Sequence, residues 1–129
     1  MAKQPEIHIT EAELEILQIV WDKREATVKQ VHEQLSAKRD AGYTTTLKQM
    51  QVMHEKGLLT RDDSQRQHIY RAAVKQSQVQ KRFMDKIMST FFKGSATQLV
   101  MQALDQYKTS DEELKQIEAM IAQVKKNKK

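Results

Sequence analysis

The 129-residue sequence predicts a mainly α chain with a single two-stranded hairpin near its middle. Three observations predict it. Apolar residues recur at three- and four-residue spacing from Thr10 to Gly57, give way to short β-branched and aromatic runs between Leu58 and Ala72, and return to helical spacing from Lys75. Capping boxes stand at Thr10-Glu13, Thr27-Gln30 and Ser110-Glu113, each just ahead of an apolar stripe. There is one proline, Pro5, in the polar start, so no helix is interrupted later. Helix, helix, helix, hairpin is the order of a winged helix-turn-helix. The expected architecture is therefore a winged-helix domain with a two-stranded β wing over residues 1–74, followed by a three-helix region over 75–129.

Each element has its own justification. In the first helix Ala12, Leu14, Ile16, Leu17, Val20 and Trp21 cover a wide face, with Glu11, Glu15, Gln18 and Asp22 opposite. A stripe that broad marks a helix buried among several partners. The second helix carries Val28, Val31, Leu35 and Ala37 inward and ends near Lys38-Arg39-Asp40. The third lies between Gly42 and Gly57, with Leu47, Met50 and Met53 or His54 directed to a core. Gly57 is a natural stop, because glycine tolerates the positive φ that follows a last helical turn. Leu58–Arg61 and His68–Ala72 flank a polar tip and read as the hairpin, whose basic residues are Arg61, Arg66 and Arg71.

Beyond Lys75 three amphipathic helices follow. Val79, Phe83, Ile87 and Phe91 recur by fours; Leu99, Val100, Ala103, Leu104 and Tyr107 form a second stripe; Leu114, Ile117, Met120, Ile121 and Val124 form a third. Each stripe is too narrow to enclose a core, and fifty-odd residues seldom fold alone. Every apolar side chain left in water forfeits about 1.5–3 kcal/mol. The expected solution is a second copy of the chain, joined through Phe83, Ile87, Leu99, Val100, Ala103, Leu104, Tyr107, Ile117 and Ile121, because two-fold homodimers are the common way to cover such faces.

Composition excludes several function classes. Cysteine is absent, which removes disulfides, thiol catalysis and cysteine-based metal sites. The four histidines are scattered without a ligand at metal-binding spacing, and His54-Glu55 lacks the second histidine of a helical zinc-protease motif. No glycine-rich phosphate loop or serine elbow is present. The expectation is a chain with no enzyme activity, cofactor or metal. No apolar run reaches the eighteen residues of a membrane helix, and the start lacks a signal-peptide core, which points to the cytoplasm.

The net charge of +5 is misleading by itself. Residues 1–74 balance eleven basic against eleven acidic side chains; residues 75–129 hold eleven against six, with four lysines among the last five positions. A lysine-rich end is ordinarily a solvated one. Residues 38–71, however, hold seven basic and four acidic side chains, a local +3 where the third helix and hairpin lie. The free face of that helix offers Thr44, Thr45, Lys48 and Gln51. Lysine and glutamine suit base edges, and threonine hydroxyls with free helix amides suit phosphates. The expected partner is double-stranded DNA. Tyr43 fits either a packing staple or a sugar-phosphate contact, and Gln49 lies oddly beside the apolar face. The competing reading is a helical protein-interaction module without DNA contact.

Ile9-Thr-Glu-Ala-Glu-Leu-Glu-Ile-Leu-Gln-Ile-Val-Trp21, Gly42-Tyr-Thr-Thr-Thr-Leu-Lys48 and Glu55-Lys-Gly-Leu-Leu59 together resemble the penicillinase repressor (BlaI/MecI/CopY) family over roughly residues 7–124. The resemblance implies a winged-helix transcriptional repressor that acts as a homodimer at an inverted-repeat operator. By position it places Thr44, Thr45, Lys48 and Gln51 on the recognition helix, Arg66 at the wing tip, and Lys38 and Arg39 just ahead of the helix. Two departures accompany it. The copper-responsive members carry cysteines near the C-terminus, and this chain has none. The β-lactam-responsive members are cleaved at an Asn-Phe bond after a signal from a membrane sensor-protease, and Gln102-Ala103 stands at the matching position.

Overall fold

A computed structural model describes residues 8–128, so the Pro5-bearing start and Lys129 of the lysine cluster lie outside the described residues. The chain forms two compact units, divided between Gln80 and Lys81. Its elements are α1 (Glu11–Lys23), α2 (Val28–Lys38), α3 (Tyr43–Glu55), β1 (Leu59–Asp62), β2 (Ile69–Ala72), α4 (Gln76–Phe91), α5 (Ala96–Gln106) and α6 (Asp111–Asn127). That is the winged-helix order with three further helices. The division between the units falls inside α4.

In the first unit α1 is opened by the expected capping box: Thr10 Oγ1 accepts the Glu13 amide and the Glu13 carboxylate accepts the Thr10 amide. The box at Thr27 and Gln30 opens α2 in the same way. α2 packs on α3, and α1 packs on both helices and on β2. The enclosed core contains Ile16, Leu17, Val20, Val31, Leu35, Met50, Met53, Leu58, Leu59 and Tyr70, all at most 2% exposed. Its membership differs from expectation in instructive ways. Ile19 and Thr46 are buried, whereas Leu14 and Leu47 are only half-buried and Ala37 is exposed. Thr46 is accommodated because its hydroxyl donates to the Gly42 carbonyl at 3.1 Å, which satisfies the polar atom inside the helix.

β1 and β2 pair antiparallel, with Leu59 opposite Ala72 and Asp62 opposite Ile69. The hairpin is joined by a strand-like contact that the hydropathy pattern does not announce. Ala26 and Tyr70 exchange backbone hydrogen bonds of 3.0 and 2.8 Å, which ties the α1–α2 connection to β2. Trp21 donates its indole N–H to the Val74 carbonyl at 3.0 Å, fixing the exit of the wing against α1. Gly57 has φ 85°, as its role as a helix stop requires. The Leu58 amide bonds to the Met53 carbonyl and the Gly57 amide to that of His54, the paired bonds of a Schellman motif, with Leu58 and Met53 both buried beside it.

The second unit is built differently. α5 is capped by Ser95 and α6 by the Ser110-Glu113 box, so both helices start where local chemistry directs. Neither contains a buried residue, and Val79 of the first unit is the one buried residue of α4. Phe83, Leu99, Ala103 and Ile117 are half-buried; Ile87, Val100, Leu104 and Ile121 are exposed. Tyr107 departs from its expected place on the stripe of α5: the helix ends at Gln106, and Tyr107 is its C-cap in extended backbone, 73% exposed.

Candidate nucleic-acid interface

The candidate site is the outward face of α3 together with the tip of the wing. Met50, Met53 and Thr46 turn inward, and helical spacing then sends Thr44, Lys48 and Gln51 to the opposite side. Of these, Thr44 and Gln51 are exposed, as are Tyr43 and Thr45, and Lys48 is exposed as well. Gly42 is the N-cap of α3 and provides no side-chain acceptor, and the first turn carries no acidic residue. The leading amides of α3 are therefore left uncapped by any side chain, with Thr44 and Thr45 beside them. This end of a helix carries the positive pole of its dipole and suits an anion.

Thr44, Thr45 and Lys48 line one groove with Gln49, Val52, Thr10 and Glu13, between α3 and the start of α1. This gives Gln49 its place: it is half-buried along the groove, at the margin of the core. Gln51 is exposed on α3 but does not line the groove. Val52, 38% exposed, is an apolar member of the groove that its position on the helix alone does not single out. Tyr43 sets its ring edge-on to His32 of α2, with centroids 5.5 Å apart and planes at 82°. It is thus a contact between helices and still 48% exposed, so both expected roles are compatible with its place.

The cations sort into two sets. Arg39 lies 3.3 Å from Glu15, Arg61 2.7 Å from Asp63 and Arg71 2.7 Å from Glu25. Lys38, Lys48 and Arg66 make no ion pair among the described residues. Within residues 38–71 the cations left outside an ion pair are thus one at the end of α2, one on α3 and one in the wing loop. Asp62 shapes that loop by accepting the Ser64 amide at 2.9 Å. Hydrogen bonds from the Ser64 side chain and amide hold its carboxyl below the usual carboxylate range.

One charged pair lies under this face, with its carboxylate buried and its ammonium half-buried. Glu13 is 6% exposed, and both of its oxygens accept from Lys56 Nζ, at 2.8 and 2.9 Å. Burial pushes the Glu13 carboxyl up, but the Lys56 ammonium and the Thr10 amide outweigh it and leave the group below its ordinary value. The capping motif explains Glu13 locally and hides this second role; the partner is 43 positions away.

Among the described residues no group of His, Asp and Glu side chains is arranged to hold a metal, and no helix is long and apolar enough to cross a membrane. The penicillinase repressor family profile matches residues 9–123, nearly the whole chain. The chain belongs to the penicillinase repressor family. Relatives include the methicillin resistance regulatory protein MecI of Mammaliicoccus sciuri, 22% identical over 109 residues that cover 84% of this chain and 89% of that protein. The transcriptional regulator BlaI of Mycobacterium tuberculosis is 39% identical over 56 residues, covering 43% of this chain and 41% of its own. Among solved structures, the monomeric form of Bacillus licheniformis BlaI in complex with the blaP half-operator is similar over 56% of this chain and 89% of its own, with 23% identity and a TM-score of 0.49.

Proposed function

We propose that this chain is a sequence-specific DNA-binding transcriptional repressor that acts as a homodimer at an inverted-repeat operator, without catalytic activity, in the cytoplasm. The observation that carries the reading is the outward face of α3: exposed Thr44, Thr45, Lys48 and Gln51 follow a helix start with no side-chain cap. Family membership supports it. Lys48 and Gln51 address base edges in the major groove, while Thr44, Thr45 and the α3 amides hold a phosphate. Arg66 and Lys38 reach flanking phosphates; Arg39 joins them by exchanging Glu15 for a phosphate, and Tyr43 stands at the backbone. Repression is steric, by occupation of the promoter.

The homodimer is supported by the ten large apolar residues between Met84 and Val124 that are at least 37% exposed. A two-fold dimer would cover them and set two α3 helices about 34–36 Å apart, one turn of DNA. If release from the operator is by an upstream membrane sensor-protease at the position matching the family's Asn-Phe bond, the cut falls at Gln102-Ala103, inside α5. A helix must unwind locally to enter a protease cleft, so cutting there would remove α6 from the dimer.

Lys48→Ala tests the reading directly. With the fold intact by circular dichroism, it should weaken binding to a selected DNA site by about 1–3 kcal/mol. Unchanged affinity, measured by fluorescence anisotropy, would remove Lys48 from the reading face. Retention of full repression by Lys48→Ala and Gln51→Ala together would favour a protein-interaction module.

A further inference from the structure

The two ends of α3 are secured differently. Its first turn has no side-chain cap, whereas its last turn is secured by the Schellman bonds at Gly57 and Leu58 and by Lys56, its C-cap residue. Lys56 reaches Glu13 in the first turn of α1. Glu13 Oε1 accepts both the Thr10 amide at 2.9 Å and Lys56 Nζ at 2.8 Å, while Oε2 accepts the same ammonium at 2.9 Å.

Two ordinary reasons could account for these residues separately. A lysine suits the C-terminal end of a helix, and a glutamate suits both a capping box and the N-terminal end. Neither reason requires the two to touch, or the carboxylate to be buried. A buried ion pair is often no more stabilising than apolar side chains of similar volume. What the pair adds is direction: an ammonium held by both carboxylate oxygens restricts how α3 slides and turns against α1. Lys48 and Gln51 lie eight and five positions before Lys56 on the same rigid helix, so a small rotation at Lys56 is carried to both.

We propose that Glu13 and Lys56 are positioning residues for sequence reading: their ion pair, whose carboxylate is buried, sets the pitch at which α3 presents Lys48 and Gln51 to base edges. The proposal rests on the DNA-reading assignment of α3. It makes the start of α1 part of the specificity apparatus although it offers no cation to DNA.

Glu13→Gln isolates the effect, because glutamine also serves in a capping box, as Gln30 does at the start of α2. The measurements are thermal midpoint, affinity for a duplex selected by the wild-type chain, and affinity for a random-sequence duplex of equal length. Glu13→Gln and Lys56→Met should each lose about tenfold on the selected duplex, with the random-sequence affinity nearly unchanged. Lys56→Arg should retain most of the preference. If Lys56→Met does not fold, Glu13→Gln carries the comparison alone. A purely structural pair predicts proportional losses on both duplexes, and that result, or no loss at all, overturns the proposal. A wild-type chain that prefers neither duplex refutes the DNA-reading assignment itself.

Discussion

The two units solve the same problem in opposite ways. Residues 9–80 enclose a core in which Ile16, Leu17, Val20, Val31, Met50, Met53 and Leu58 are inaccessible to water. Residues 81–128 form amphipathic helices with good caps, yet α5 and α6 bury nothing. Capping and periodicity are thus sufficient to write a helix and insufficient to enclose one. The first unit has a hairpin and three helices packed on one another, which closes a small volume. The second has stripes that need a facing surface. In the proposed dimer, that surface is another copy of the chain.

The largest expected effect lies in the first unit. Tyr70→Ala empties the buried centre of β2 beside Ala26 and should cost about 3–5 kcal/mol, read as a lowered urea midpoint. A change of that size is enough to unfold many domains of this length. Leu104→Asp or Ile117→Asp in the second unit should leave the first folded but convert dimers to monomers by sedimentation velocity, with operator affinity falling steeply. An unaltered dimer would remove that face from the interface. Arg66→Ala should weaken binding to all DNA sequences alike and lower the salt slope by about one. The same change at Arg71, already paired with Glu25 at 2.7 Å, should do less.

The smallest expected effect is on pH dependence. Burial raises the Glu13 carboxyl, but Lys56 and Thr10 together hold it below its ordinary value of 4.5. Its unfolded form therefore binds a proton before the folded form does, so stability is fully present above 4.5 and is lost as pH falls through the lower folded value. Chemical denaturation in that window should show a shallower loss for Glu13→Gln than for the wild-type chain. Equal slopes would mean that Glu13 is not held by Lys56 in solution.

Much of the fold is legible in the sequence because its signals are local. Thr10-Glu13, Thr27-Gln30 and Ser110-Glu113 mark helix starts within four residues, and Gly57 marks a stop. The wing is legible from the change of period at Leu58. What escapes depends on distant partners. Thr46 is drawn into the core by the packing of α3 on its neighbours, its hydroxyl being satisfied locally by the Gly42 carbonyl; Ala26 carries no strand signal and is recruited by Tyr70 across the fold. Glu13 offers a complete local explanation, so nothing in the spacing discloses Lys56. The exposed face of α3 is legible, since helical periodicity alone separates Lys48 and Gln51 from Met50 and Met53. Which of the nearby arginines are already paired is not, because Glu15 and Glu25 lie far from Arg39 and Arg71 along the chain.

The central claim is that two copies of α3 read one address. Its most direct test is selection of a random double-stranded DNA library on the purified protein, followed by sequencing of the bound fraction. Two-fold reading predicts enrichment of a short motif repeated in inverted orientation, with half-site centres about one helical turn apart. Absence of any enriched motif, or recovery of single unpaired half-sites, would contradict it.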